Sequence, residues 1–254
     1  MSLDGNLLQR MEAIQRGGHE KYHQKLREGG KLFVRERLAR LLDPDSMVEE
    51  GLLARCVEDG LPADAVVTVT GKIAGRPVAV MANDMTVKAG AWGRLTIQKI
   101  QRIQEIARDA ELPMLYLVDS AGARLDEQFD IFVARHHSGR IFHNQIQLSG
   151  VVPQVCVLLG PSPAGAAYMP AFCDLVIMVD GHASAYLGSP RMSEMAIGEK
   201  VTMEEMGGAR MHCTVSGLGD VLAASEEEAL ALVARYLGYL PRSWQEAPAA
   251  APAR

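Results

Sequence analysis

The sequence predicts an α/β fold built on a mostly parallel sheet. Three observations carry that prediction. Apolar runs at 114–118, 155–159 and 175–179 have the length of buried strands. Stretches of helical periodicity stand between them, the alternation expected of βαβ units. The first two runs end in glycine and alanine, residues that let a neighbouring backbone or a ligand approach closely.

The elements follow in order. Residues 1–46 are charged and helix-prone, and read as a helical N-terminal arm broken at Gly17-Gly18 and Gly29-Gly30. Its last part, KLFVRERLARLLDPDS, is amphipathic up to Pro44 and is expected to pack on the body of the domain or on a neighbouring subunit. Residues 65–83, AVVTVTGKIAGRPVAVMAN, alternate around Ala74-Gly75, the pattern of a β-hairpin. Leu95, Ile100, Ile103, Ile106, Ala107 and Ala110 recur at helical spacing. Pro113 then introduces the 114–118 strand. Residues 126–149 read as helical with a weak point at Gly139, and Pro153 introduces the next strand. A short helix precedes the 175–179 strand, and ASAYLG (183–188) is a candidate fourth. Residues 226–238 form a last amphipathic helix whose acidic first turn suits the positive end of its dipole. The Pro/Ala-rich stretch 241–254 reads as a linker or tail, which leaves 47–240 as a single domain.

Composition narrows the function. A chain of 254 residues, 48% of them hydrophobic, can bury a substantial core. The net charge of −5 and the lack of a Lys/Arg-rich block argue against a nucleic-acid partner. Cys56, Cys156, Cys173 and Cys213 lie too far apart for C-x-x-C pairs, so reduced thiols are expected rather than a metal site. No apolar run is long enough to span a bilayer and no signal peptide opens the chain, so a cytoplasmic protein without membrane contact is expected.

The small-residue corners are the candidate chemistry. Ser162-Pro163-Ala164-Gly165-Ala166-Ala167 reads as a helix start, with Ser162 as N-cap and Pro163 in the first turn. The first amides of a helix lack intrahelical partners and carry the positive end of its dipole. Asp119-Ser120-Ala121-Gly122-Ala123-Arg124 repeats this logic after the preceding strand. Two such corners can aim amides at one developing oxyanion. Tight helix–sheet packing explains the same small residues and is the commoner reason for them. Lys88, beside Ala89-Gly90, offers a cation for a phosphate or nucleotide-like ligand; a solvated loop lysine is the alternative. The rival enzyme class is a serine hydrolase. Gly160-Pro161-Ser162-Pro163-Ala164 approaches G-x-S-x-G, with Asp174 or Asp180 and His182 or His212 as partners. Met192, Met195, Met203, Met206 and Met211 would line an acyl pocket or fill a core.

Six stretches carry a resemblance to a known family. GKLFVRERLARLLDPDS, LYLVDSAGARLDEQ, GRIFHNQIQLSG, GPSPAGAAYMPAFCD, YLGSPRM and GEKVTMEEMGGARMH resemble the carboxyltransferase (β) subunits of biotin-dependent acyl-CoA carboxylases, of the propionyl-, methylcrotonyl- and geranyl-CoA group. The resemblance covers roughly residues 15–245. It implies a crotonase-like superhelix of ββα units and a chain corresponding to the N-terminal, acyl-CoA-binding half of a two-domain subunit. It also implies biotin delivered by a carrier protein, a partner biotin carboxylase subunit, and a homo-oligomer. Transferred residue by residue, the resemblance makes Ala121 and Gly122 oxyanion donors, with Gly165 and Ala166 as the helix-terminal part of the pocket. Lys88, Ala89, Gly90, Ala123 and Arg124 would lie against CoA. The family's reaction needs little side-chain acid–base work, because the biotin enolate left after CO2 release takes the α-proton. Where the family has a second glycine in each corner, this chain has Ala121 and Ala166, which would be strained if φ there were positive. A chain with only this half also admits a second reading, an inactive acyl-CoA-binding or assembly module.

Overall fold

A computed structural model describes residues 3–56, 60–132 and 134–248. The parts of the expected arm, of the 126–149 helix and of the Pro/Ala-rich tail that fall at 1–2, 133 and 249–254 lie outside the described residues. Three helices come first: α1 (Leu3–Gln15), α2 (Glu20–Glu28) and α3 (Val34–Leu41). The paired glycines separate them as expected. A short strand β1 (Val48–Glu50) then leads to the hairpin β2 (Val66–Ile73) and β3 (Arg76–Asn83). Its turn residues Ala74 and Gly75 both take positive φ, 50° and 78°, the turn that matches strand twist.

After the hairpin come α4 (Arg94–Asp109), β4 (Met114–Val118), α5 (Phe129–Phe132), α6 (Gly139–Leu148) and β5 (Gln154–Leu158). The weak point expected near Gly139 is a break between two helices, and Gly139 opens the second. Then follow β6 (Pro161–Pro163), α7 (Tyr168–Ala171), β7 (Leu175–Val179), β8 (Ser184–Tyr186), α8 (Pro190–Ile197), α9 (Met203–Gly207) and α10 (Ala209–Met211). The last elements are β9 (Val221–Ala223) and α11 (Glu226–Leu237).

The main sheet has the order β1-β2-β3-β4-β5-β7-β9. β1, β2 and β3 pair antiparallel, and every pairing from β3 to β9 is parallel. The candidate fourth strand is β8, but it pairs with β6 in a separate two-stranded sheet. Successive residues of β4 face opposite layers. Met114, Tyr116 and Val118 join Ile97, Ile100, Ile103 and Ile141 of α4 and α6 on one side. Leu115 and Leu117 join Leu38, Leu41, Leu230 and Val233 of α3 and α11 on the other. Helices on both faces explain why β4 and β5 are buried throughout rather than alternating in burial.

The arm is therefore partly core. α3 buries Val34, Arg37, Leu38 and Leu41 against the sheet and α11. The stretch 241–246 is docked too. Ser243 donates to Glu111 at 2.9 Å and the Trp244 amide to the Val151 carbonyl at 2.9 Å. By contrast, α8 buries no residue, so Met192 and Met195 are surface residues rather than core filling. Among the described residues no helix is long and apolar enough to cross a membrane.

One buried cation gives stability a pH signature. Lys99 on α4 is 7% exposed, and its ammonium donates to the carbonyls of Ala63 and Val66. Burial pushes its pKa down from 10.5 to about 8, against the opposing pull of Glu49 and Asp64. Between those two values the unfolded chain binds the proton that the folded chain has released. Stability therefore rises with pH through that window, by about 3 kcal/mol in full. Chemical denaturation of the wild type and Lys99→Met across this range is expected to show the stability of the wild type rising relative to the variant as pH increases.

Candidate functional site

Three loops meet beyond the carboxyl ends of β3, β4 and β5, where open parallel sheets place ligands. The middle loop is the first small-residue corner. The Ser120 amide donates to the Pro161 carbonyl at 2.9 Å, and the Ser120 hydroxyl donates to the Gly90 carbonyl at 2.8 Å. The Ala121 amide donates to the Ala89 carbonyl at 2.9 Å. Gly122 sits at φ +94°, and a Cβ added there would stand 3.2 Å from Pro163 Cγ. The two corners are therefore in contact, and the 88–90 loop closes on the same point.

Two of these loops hold strained backbone. Lys88, Ala89 and Gly90 take φ of 47°, 52° and 66°, a left-handed turn. Asn83 Nδ2 and Ser120 Oγ clamp its Gly90 carbonyl, and a Cβ on Gly90 would fall 2.3 Å from the Asp119 carbonyl oxygen. In the second corner Ala164 has φ +51°. Left-handed alanine costs about 1–2 kcal/mol, a strain that clusters at ligand sites. Ala121 and Ala166, which would be strained only at positive φ, do not have it; Ala164 does.

Ser162 does not cap a helix. It lies in β6, fully buried, and its hydroxyl donates to the Ala166 carbonyl at 2.8 Å. Residues Ala164–Ala167 form a 310 turn entered from Pro163. In that geometry the amides of Ala164 and Gly165 have no partner inside the turn, and the pairing of Pro163 with Tyr186 turns the Ala164 amide toward β8, which leaves that of Gly165. Ala164 and Gly165 are both exposed, and nothing stands within 4 Å of a Cβ built on Gly165. Ala166 is 2% exposed, so its place is in the packing beneath the turn.

Two further expectations are corrected by the hydrogen bonds. The Ala121 amide is taken by Ala89, and the Gly122 amide by the Ser120 hydroxyl at 3.0 Å. In this conformation they hold the corner together, and the open donors are on the Gly165 side. Arg124 is 6% exposed, with its guanidinium 2.6 Å from Asp64 and 3.2 Å from Glu127. It anchors the loop to the start of α4, where Asp64 also accepts from the Thr96 hydroxyl at 2.8 Å. Ala123 bridges to Trp92 in the same packing. Lys88 has an exposed side chain.

Lys88 and Ala89 form part of the wall of a cavity of about 1000 Å³ between the first two helices and the 85–89 loop. Arg10, His19, Lys25, Lys31 and Arg55 also line it, and among the described residues its wall carries no carboxylate. Ile14, Leu26 and Pro62 add apolar surface. Cations over an apolar floor suit a nucleotide with phosphates.

A buried charge cluster that the sequence reading missed ties this cavity to the corner. Arg37 of α3, 1% exposed, donates to Glu226 through Nε at 2.8 Å and Nη2 at 2.6 Å, and to Asp119 at 3.0 Å. The Lys31 ammonium lies 2.6 Å from the same Asp119 oxygen. Burial alone would lower the Arg37 pKa; Asp119 and Glu226 more than offset it and raise it. Gly160 makes room for Asp119, since a Cβ there would fall 1.9 Å from Oδ1. The available signal was an aspartate placed directly after a wholly apolar strand.

The serine-hydrolase arrangement does not form. His212 is engaged by the Ala185 carbonyl at 2.8 Å and Ser216 at 2.7 Å. Asp174 accepts from the Gln154 amide at 2.8 Å, and Asp180 pairs with Arg210.

The family model described as a carboxyl transferase domain matches residues 25–254. The uncharacterised carboxylase YngE of Bacillus subtilis is 61% identical over 246 residues, covering 97% of this chain and 48% of that protein. The mitochondrial methylcrotonoyl-CoA carboxylase beta chain of Dictyostelium discoideum is 42% identical, covering 95% of this chain and 42% of that one. Transcarboxylase 12S, solved with methylmalonyl-coenzyme A and methylmalonic acid bound, superposes with a TM-score of 0.92 at 34% identity, over 98% of this chain and 50% of that one. The architecture shared with this neighbour is the crotonase-like α/β fold expected from the sequence. The chain spans about half the length of the curated relatives it matches.

Proposed function

The chain belongs to the carboxyl transferase domain family, and from that premise we propose that it is the acyl-CoA-binding half of a biotin-dependent carboxyltransferase. One observation carries the reading. A cavity lined by Arg10, Lys25, Lys31, Arg55 and Lys88, with no carboxylate among its described lining residues, shares its wall, at Ala89, with the corner where both small-residue turns meet. The nucleotide end of CoA lies in the cavity, its phosphates near Lys25 and Lys88. The pantetheine arm runs past the 88–90 loop, and the thioester carbonyl reaches the Gly165 amide.

The chain's own contribution is then positioning and fixed dipoles. Backbone amides at the turn stabilise the enolate oxygen as the α-proton leaves, and no side-chain base is required of this half. Holding the long substrate at its nucleotide end fixes the reacting carbon at the other end. Carboxybiotin supplies the carboxyl group when bound. The other half of the enzyme would hold it, brought by a carrier protein that a biotin carboxylase charges. Relatives named for methylcrotonyl and propionyl substrates support a short acyl group as the acceptor. A transcarboxylase described as a hexamer supports a homo-oligomer for the complete protein.

Calorimetric titration of the chain with CoA tests the reading. Binding is expected to weaken steeply with salt. The Lys25→Glu, Lys88→Glu pair is expected to lower affinity at least about tenfold, as loss of charge-assisted phosphate contacts would. Equal affinity in wild type and variant would overturn the placement.

A further inference from the structure

Lys31 belongs to two structures at once. Its side chain lines the cationic cavity, and its ammonium is held 2.6 Å from Asp119 Oδ2. Asp119 is fully buried and directly precedes Ser120-Ala121-Gly122, the corner that braces the reaction site. Of the four charges in this cluster, Arg37 and Glu226 are locked to each other by two hydrogen bonds. Lys31 alone among them lines the cavity. The other Asp119 oxygen, Oδ1, is buried without a hydrogen-bond partner, so the carboxylate is held from one side.

We infer that Lys31 is a positioning residue that couples occupancy of the cavity to the geometry of the Ser120–Gly122 corner; this rests on the cavity holding the nucleotide end of the substrate. An anion in the cavity competes with Asp119 for the ammonium. The anion and the Asp119 carboxylate carry like charge within reach of one ammonium, so they are rivals for it. As the ammonium turns toward the anion, Asp119 relaxes onto Arg37. The main chain at 119–121 moves with it, and with it the Ala121 and Gly122 amides.

Amide NMR of the full chain tests this with adenosine 3′,5′-bisphosphate, a probe that carries the nucleotide end of CoA but no arm to touch the corner. In the wild type the Ala121 and Gly122 signals are expected to shift in proportion to occupancy. In Lys31→Met the probe is expected still to bind, weakened less than about tenfold, with the two shifts lost. Lys31→Arg is expected to restore them, and dispersed spectra verify that each variant is folded. Full-sized shifts in Lys31→Met would overturn the proposal, as would a wild type that binds the probe with both signals unmoved. If the nucleotide fails to bind the wild type, the reading of the cavity as a CoA site falls. Inorganic pyrophosphate then decides the coupling by the same criteria, and a corner that responds to neither probe overturns it.

Discussion

Arg37→Met is expected to lower the unfolding free energy by about 3–5 kcal/mol, the range for breaking a buried ion cluster at one member. The guanidinium is 1% exposed and satisfies two carboxylates from distant parts of the chain. Without it, Glu226 keeps the Leu32 amide at 3.2 Å and Asp119 keeps Lys31 among the described residues. The apolar replacement matches the volume, so the lost charge dominates the loss. Equilibrium urea unfolding measures it. Replacing Arg37 and Glu226 together by Met and Gln is expected to recover part of the loss, because no uncompensated carboxylate remains at 226. A single variant within about 0.5 kcal/mol of wild type, the range of an ordinary surface substitution, would show that the cluster contributes little.

Gly165→Pro is expected to reduce turnover by the complete carboxyltransferase about 100- to 1000-fold, the effect of losing one oxyanion donor. Proline removes the amide, while Gly165→Ala keeps it. Nothing lies within 4 Å of the added Cβ, and Gly165 does not have positive φ, so the alanine variant is expected to stay near wild-type activity. The contrast between the two isolates the N–H group from the side-chain position. Thermal unfolding of both variants verifies that the turn still folds. Equal activities would remove Gly165 from the chemistry. Activity lost in both would point to packing at the turn instead.

Much of this architecture was legible because its signals are local. The apolar runs at β4, β5 and β7, the Ala74-Gly75 turn and the periodicity of α4 each sit within one element. β1 and β9 were missed because three residues carry no pattern, and their pairing is decided by β2 and β7. The break between α5 and α6 is set by tertiary contacts. Gln101 donates to the carbonyls of His136 and His137 at 2.8 Å, drawing the 134–138 segment out of the helix.

The candidate site was half legible for the same reason. Glycine and alanine after a strand predicted the corners, but not which amides stay open. That depends on Ser120 and Ala89 reaching across to Gly122 and Ala121. Arg124 looked like a ligand-facing cation because its partner Asp64 lies 60 residues away. Arg37 and Glu226 could not be paired from local pattern, because 189 residues separate them along the chain.

A crystal structure with an acyl-CoA thioester bound is the most direct measurement. The account predicts the adenine and phosphates between α2 and the 85–89 loop, with the thioester oxygen about 3 Å from the Gly165 amide. A thioester bound well away from both corners, or a nucleotide outside the cationic cavity, would contradict it.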